Sequence, residues 1–169
     1  MKISPVHHQP DGPAFDVVLL LHVACVVVGL ATTITSAATA ASLRKVLATR
    51  TPFPETLVRY FRQGTNWAGR TIYGIPVFGF ALLALSQGSY DLHEAWVNAG
   101  LGIFVVVVVV AEGVLWPAER RLQASLVPLR DGGTPAGEAV THDVRLMAHA
   151  AMAAIVLLIA GTGIMLSQP

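Results

Sequence analysis

The sequence predicts an all-α integral membrane protein, a four-helix bundle with both termini on the extracytoplasmic side. Three observations predict it. The 169-residue chain is 54% hydrophobic and only 12% charged, where soluble domains carry about 25% charged residues. Too few charges remain to coat a water-facing surface. Four apolar segments reach the roughly 20 residues that a helix needs to cross a hydrocarbon core of about 30 Å. Basic residues crowd two of the connectors and are missing from the third. The net charge of +1 provides no basic field for a nucleic-acid partner.

The whole chain, 1–169, reads as a single membrane domain with spans at about 15–41, 67–86, 95–116 and 144–166. Without water, a spanning backbone must bond internally, as a helix or a closed barrel. Runs this long lack the alternation of barrel strands. The first span contains "TSAATAAS", which looks like a signal-cleavage site. Its apolar stretch is too long for a signal core, however, and its leader "MKISPVHHQPDGPAF" has a weak positive flank. It is read as a retained helix.

Between spans one and two stand Arg44, Lys45, Arg50, Arg59 and Arg62 against the single acid Glu55. Between spans three and four stand Arg120, Arg121 and Arg130, with Arg145 at the far edge. The loop "SQGSYDLHE" has neither Lys nor Arg. The positive-inside rule makes the two basic connectors of this multi-pass protein cytoplasmic. In the first connector, "TPFPETLVRYFRQG" predicts a short amphipathic helix over about 54–63, lying in the inner interface. "PAERRLQASLVPL" suits a similar helix, and "RDGGTPAGEA" reads as a loop.

The spans differ in character. In span one, Gly29, Thr33, Ala37 and Ala41 recur every four residues, a ladder that admits close helix approach. Ala153, Ala160 and Gly163 suggest a similar face on span four, shared with Arg145 and His149. Pro76 in "YGIPVFG" predicts a kink in span two. The valine run in "GIFVVVVVVAEGVLWP" predicts a lipid-facing surface over part of span three. Packing is expected through spans one, two and four.

Ionisable groups in a span are expensive, about 2.5–3.5 kcal/mol for Arg, Lys or Asp at its centre. His22, Arg70, Glu112 and His149 therefore need explanation. Glu112 lies one turn from the inner edge marked by Trp116 and Pro117. Arg70 and Arg145 open their spans at that edge, and His149 lies one turn deeper. Arg70, Glu112, Arg145 and His149 are thus expected to converge, either as a proton-handling or anion-binding cluster or as an ion pair locking helices. His22, near the outer edge with Cys25 and Gly29 on its face, is either a haem or metal ligand or a hydrogen-bonding core histidine. His22 and His149 lie roughly 15 Å apart along the membrane normal. That is too far for both to ligate one iron through bonds of about 2 Å. His93 and Tyr90 lie in the outer loop, and His7, His8 and His142 read as solvated.

"LLLHVACVVVGL" opening the first span, three further spans and the tail "IMLSQP" resemble a group of bacterial four-helix predicted integral membrane proteins of unassigned activity. More distantly, the chain resembles the copper-resistance D-type and protoporphyrinogen-oxidase-like membrane bundles. In those families a first-helix histidine is tied to metal or haem, which implies a b-type haem or a metal on His22. The lysine that the haem-associated group carries in helix three has no counterpart here. No Met or Cys cluster suits soft copper either.

Three functional readings stand. The first is an accessory subunit that packs through small-residue faces into a larger membrane complex. The second is a haem-binding redox or porphyrin-related protein using His22. The third is a small dimeric transporter with a Glu112/His149 proton site. No catalytic residue, nucleophile–base pair, phosphate loop or redox dithiol is found. The bilayer is the expected partner in each reading, with other subunits or a second copy of the chain.

Overall fold

The computed structural model describes residues 12–49, 51–62, 64–86, 88–130 and 137–167. The leader histidines, Arg50, most of the loop after Arg130 and the end of the tail lie outside these. Among the described residues every regular element is helical. Three helices are long and apolar enough to cross a membrane, Pro13–Thr49, Ala95–Leu126 and Glu138–Leu166, and a fourth apolar segment, Gly69–Leu85, is shorter.

Helix α1 (Pro13–Thr49) tolerates its polar second half because the hydroxyls of Thr32, Thr33, Thr35 and Ser36 close back on their own backbone. Thr33 Oγ1 donates to the Gly29 carbonyl at 2.6 Å, and Thr35 Oγ1 to Ala31 at 2.8 Å. After the short helix α2 (Glu55–Tyr60), the second apolar segment begins as a 3₁₀ helix (Gly69–Tyr73) and continues as α3 (Gly74–Leu85). This change of helix type comes just before Pro76, where a kink is expected. Pro76 falls in the first turn of α3, where a missing N–H costs least. Helix α4 (Ala95–Val110) passes through a π-helical turn (Ala111–Leu115) into α5 (Trp116–Arg130), and α6 (Glu138–Leu166) completes the chain.

Helix α3 runs antiparallel along α1, with His22 beside Gly79 and Gly29 beside Ile72. Helix α4 runs antiparallel along α6, with Ile103 beside Gly161. Helices α1 and α6 pack together between them, whereas α3 and α4 do not pack along each other. No residue of α3 is buried. The expected tight bundle is therefore a row, α3–α1–α6–α4, open along one side.

We call the end carrying Pro13 and Leu166 the terminal end and the opposite one the basic end. From Ala95, Glu112 lies about 25 Å and Trp116 about 31 Å along the helix, so a core of about 30 Å that begins at Ala95 ends near Trp116. The helices do not stop there. Helix α5 continues for about 21 Å past Trp116. The bundle's best-buried side chains cluster in this projecting stub: Leu43, Leu122, Val140, Val144 and Met147. Leu57 and Phe61 cover it from the connector. Arg121 clamps α5 to α6 through Asp143, with Nη2 and Nε at 2.8 and 2.9 Å from one carboxylate oxygen. In the lipid-level half the surface is apolar instead, with Leu20, Val27, Val105 and Val109 exposed. Val107 of the valine run is buried.

Span four turns a different face inward from the expected one. Val144, Met147, Ala151, Ala154 and Leu158 are buried, while Ala153, Ala160 and Gly163 are exposed. Of the α1 ladder, Gly29 and Thr33 are buried, Ala37 is half-buried and Ala41 is exposed.

Candidate functional site

The polar site is built on the π-helical turn. Pro117 has no N–H to donate and its ring crowds the carbonyl four residues back, at Gly113. The helix widens just before it, and the Trp116 N–H bonds to the Ala111 carbonyl, five residues back. Glu112 lies in that widened turn. Opposite it, the 3₁₀ helix brings Arg70 and Tyr73 onto one edge, because side chains three apart eclipse at three residues per turn. Asn66 starts this helix by accepting the Gly69 N–H at 3.2 Å, and the Arg70 N–H bonds the Trp67 carbonyl at 3.0 Å.

The Tyr73 hydroxyl donates to Glu112 Oε1, and Arg70 Nη1 lies 3.8 Å from the same oxygen. The Arg70 guanidinium lies over the Trp116 ring, 4.7 Å from its centroid, and the Tyr73 ring meets Trp116 edge-on at 6.0 Å. Gly69 admits this approach: a Cβ there would sit 3.6 Å from Trp116 Nε1. The Arg70 and Glu112 side chains keep 30% and 44% of their surface exposed. Both charges are thus partnered and still reachable. The acid at the end of the valine run pairs with an arginine of the second apolar segment, and Tyr73 is the partner that sequence reasoning missed. Its only signal is its place three residues after Arg70, which means something only once the helix is 3₁₀.

The rest of the expected cluster does not assemble. Arg145 and His149 lie on the exposed face of α6 and make no hydrogen bond or ion pair among the described residues. The Arg121–Asp143 clamp sets the register of α5 on α6, which places His149 near the level of Trp116 and Arg145 one turn beyond it. Met147 and Ala151, on the opposite side of α6, fill the core.

His22 binds α1 to α3. Its Nδ1–H donates to the Ile75 carbonyl at 2.9 Å. A Cβ on Gly79 would touch the His22 ring at 3.4 Å, and one on Gly74 would overlap Cys25 Sγ. Helix contact this close leaves no slot between α1 and α3 for a macrocycle. The residues around His22 therefore do not fit a haem held between these helices.

A second polar group ties the connector to the bundle. The Tyr60 hydroxyl lies 2.8 Å from Ser36 Oγ and engages Glu119, which is buried. Burial pushes the Tyr60 phenol up, and the Glu119 charge adds to it. In the terminal-end loop Asp91 pairs with His93 Nδ1 at 3.1 Å, which holds the Asp91 carboxyl below its usual range. Between α1, the 3₁₀ helix, α4 and α6 lies a water-sized pocket, lined by Thr33, Ser36 and Asn66 and by Ile72, Val107 and Leu115.

These features define a class, an all-helical membrane protein with a charged and aromatic cluster towards the basic end of its helices. Comparison with family models, curated proteins and solved structures gives no match to this chain.

Proposed function

We propose that the chain is an accessory subunit of a larger complex in a bacterial inner membrane. In this reading it crosses four times with both termini outside, the shorter segment Gly69–Leu85 being the fourth crossing. The carrying observation is the exposed face of α6, where Ala153, Ala160 and Gly163 stand among Met152, Val156 and Ile159 and which ends in Arg145 and His149 at the basic end. Helix α1 likewise exposes Ala24, Ala31 and Ala38 among Val27, Val28 and Ile34. Small residues gain nothing by facing lipid. They lower the barrier to close approach by another helix, and small-residue seams are how membrane helices associate. Arg145 and His149 supply polar groups to the partner at the basic edge. The close contact of α1 and α3 at Gly74 and Gly79 gives no support to a haem at His22. Glu112 and His149 make no contact, which removes support from a shared proton site.

The test is photocrosslinking in native membranes from a probe at Ala160 or Ala31, with Val17 and Val109 as lipid-facing controls. The expected result is one protein adduct of defined mass from the small-residue positions and none from the controls. Equal crosslinking from all four positions, or lipid adducts only, would overturn the reading.

A further inference from the structure

The open side of the row is a cleft between α3 and α4. It is floored at the basic end by the Arg70–Tyr73–Glu112–Trp116 cluster and open laterally towards lipid above it. Helix α3 packs along α1 and buries none of its own residues. Val77 and Phe80 of α3 and Val105 and Val109 of α4 are exposed. The cleft is therefore flanked by hydrocarbon along its length and ends in two opposite charges. Those charges lie about 25–31 Å from Ala95, where acyl chains give way to headgroups.

The two charges are spaced to serve another molecule as well as each other. Their closest approach, 3.8 Å, is long for an ion pair, and both Arg70 and Tyr73 converge on Glu112 Oε1. Glu112 Oε2 has no partner among the described residues, and the Arg70 guanidinium, held over the Trp116 ring, has N–H donors beyond the one nearest Glu112. A molecule complementary to this arrangement has an anion and a hydrogen-bonding cation a few ångströms apart, joined to a long apolar chain.

We propose that the α3/α4 cleft holds one glycerophospholipid with a primary-amine headgroup, its phosphate on Arg70, its ammonium on Glu112 Oε2 and one acyl chain along α3. An anionic headgroup would satisfy Arg70 and repel Glu112. A choline headgroup would match the charges but has no N–H to give the carboxylate. This site lies apart from the α6 face assigned to a partner subunit and stands independently of that assignment.

The test is native mass spectrometry of the detergent-purified protein, offered equal amounts of dioleoyl phosphatidylethanolamine, its mono- and dimethyl derivatives, phosphatidylcholine and phosphatidylglycerol. The expected result is one retained lipid, favouring the primary amine over choline by about fivefold, which is about 1 kcal/mol at 1.4 kcal/mol per tenfold. Retention should fall with each methyl added. Glu112→Gln keeps an acceptor for Tyr73 and should abolish the preference, whereas Arg70→Gln should weaken retention of every phospholipid. Leu20→Ala, on exposed α1 surface, should change nothing. Equal retention across the methylated series, preference for phosphatidylglycerol, or an unaltered preference in Glu112→Gln would overturn the proposal. The methylated series uses the wild-type protein, so the decision does not depend on a variant folding.

Discussion

Truncating Leu122 to alanine tests where the stability of this protein lies. Leu122 is fully buried in α5 and about 40 Å along the helix from Ala95, well past a 30 Å core. There the alternative to burial is water rather than lipid, so the hydrophobic effect applies in full. Removing three carbon groups at about 0.8 kcal/mol each gives about 2.4 kcal/mol, and an unfilled cavity raises the cost towards 2.7–5 kcal/mol. Leu20 has the same chemistry on α1 but is 69% exposed at lipid level. It sits among hydrocarbon whether or not the helices associate, so Leu20→Ala should cost little. The assay is reversible unfolding of each variant in one detergent mixture, followed by the loss of a defined tertiary signal. A destabilisation of Leu122→Ala no greater than that of Leu20→Ala would refute the idea that the projecting stub anchors the fold.

Other predictions follow from the same contacts. Gly29→Val should cost about 1–3 kcal/mol by overpacking, since even a Cβ at Gly29 would stand 2.8 Å from Ile72 Cγ2; the same unfolding assay measures it. His22→Ala should cost about 0.6–1.7 kcal/mol, the range for polar contacts between membrane helices, and should leave the absorption spectrum of protein made with ample haem unchanged. Tyr60 is held protonated above the ordinary phenol value, so its contribution to stability is complete below about pH 10 and declines as pH rises beyond it. Tyrosinate absorbance should show a late-titrating phase that disappears in Tyr60→Phe. Pro117→Ala should let residues 111–115 relax to regular α-helix, which withdraws Glu112 from Tyr73; weakened protection of Tyr73 from chemical modification would report it.

Much of this architecture was legible in the chain because hydropathy runs and basic connectors report directly on lipid and water. The expected 67–86 and 95–116 meet elements beginning at Gly69 and Ala95. The overrun of α1 past residue 41 was not legible in hydropathy. Arg44 and Lys45 end an apolar run without ending a helix, and the stripe of Ala40, Leu43 and Val46 carries it on. Span four exposes a different limit. Lipid-facing and buried positions are both apolar, so Ala153 and Ala160 could not be told from Ala151 and Ala154 by composition. The Glu112–arginine pairing followed from depth alone, whereas Tyr73 depended on a helix type that no residue pattern announced.

The cluster has its origin in Pro117, and the stub survives that residue. An ordinary helix could carry α4 into α5 without interruption, and Glu112 would then keep the orientation set by the valine run before it. The proline removes one backbone donor just past the carboxylate, the turn before it widens, and the acid takes up a position against the 3₁₀ helix. The same residue leaves the helix unbroken, so α5 still projects past Trp116 and presents Ala118 and Leu122 to the stub's core. A glycine-driven break there would have ended the span and lost the stub, and an alanine would have kept the stub and lost the cluster. One residue type meets both requirements, which is why the charged cluster lies between the lipid-level row and its water-facing core.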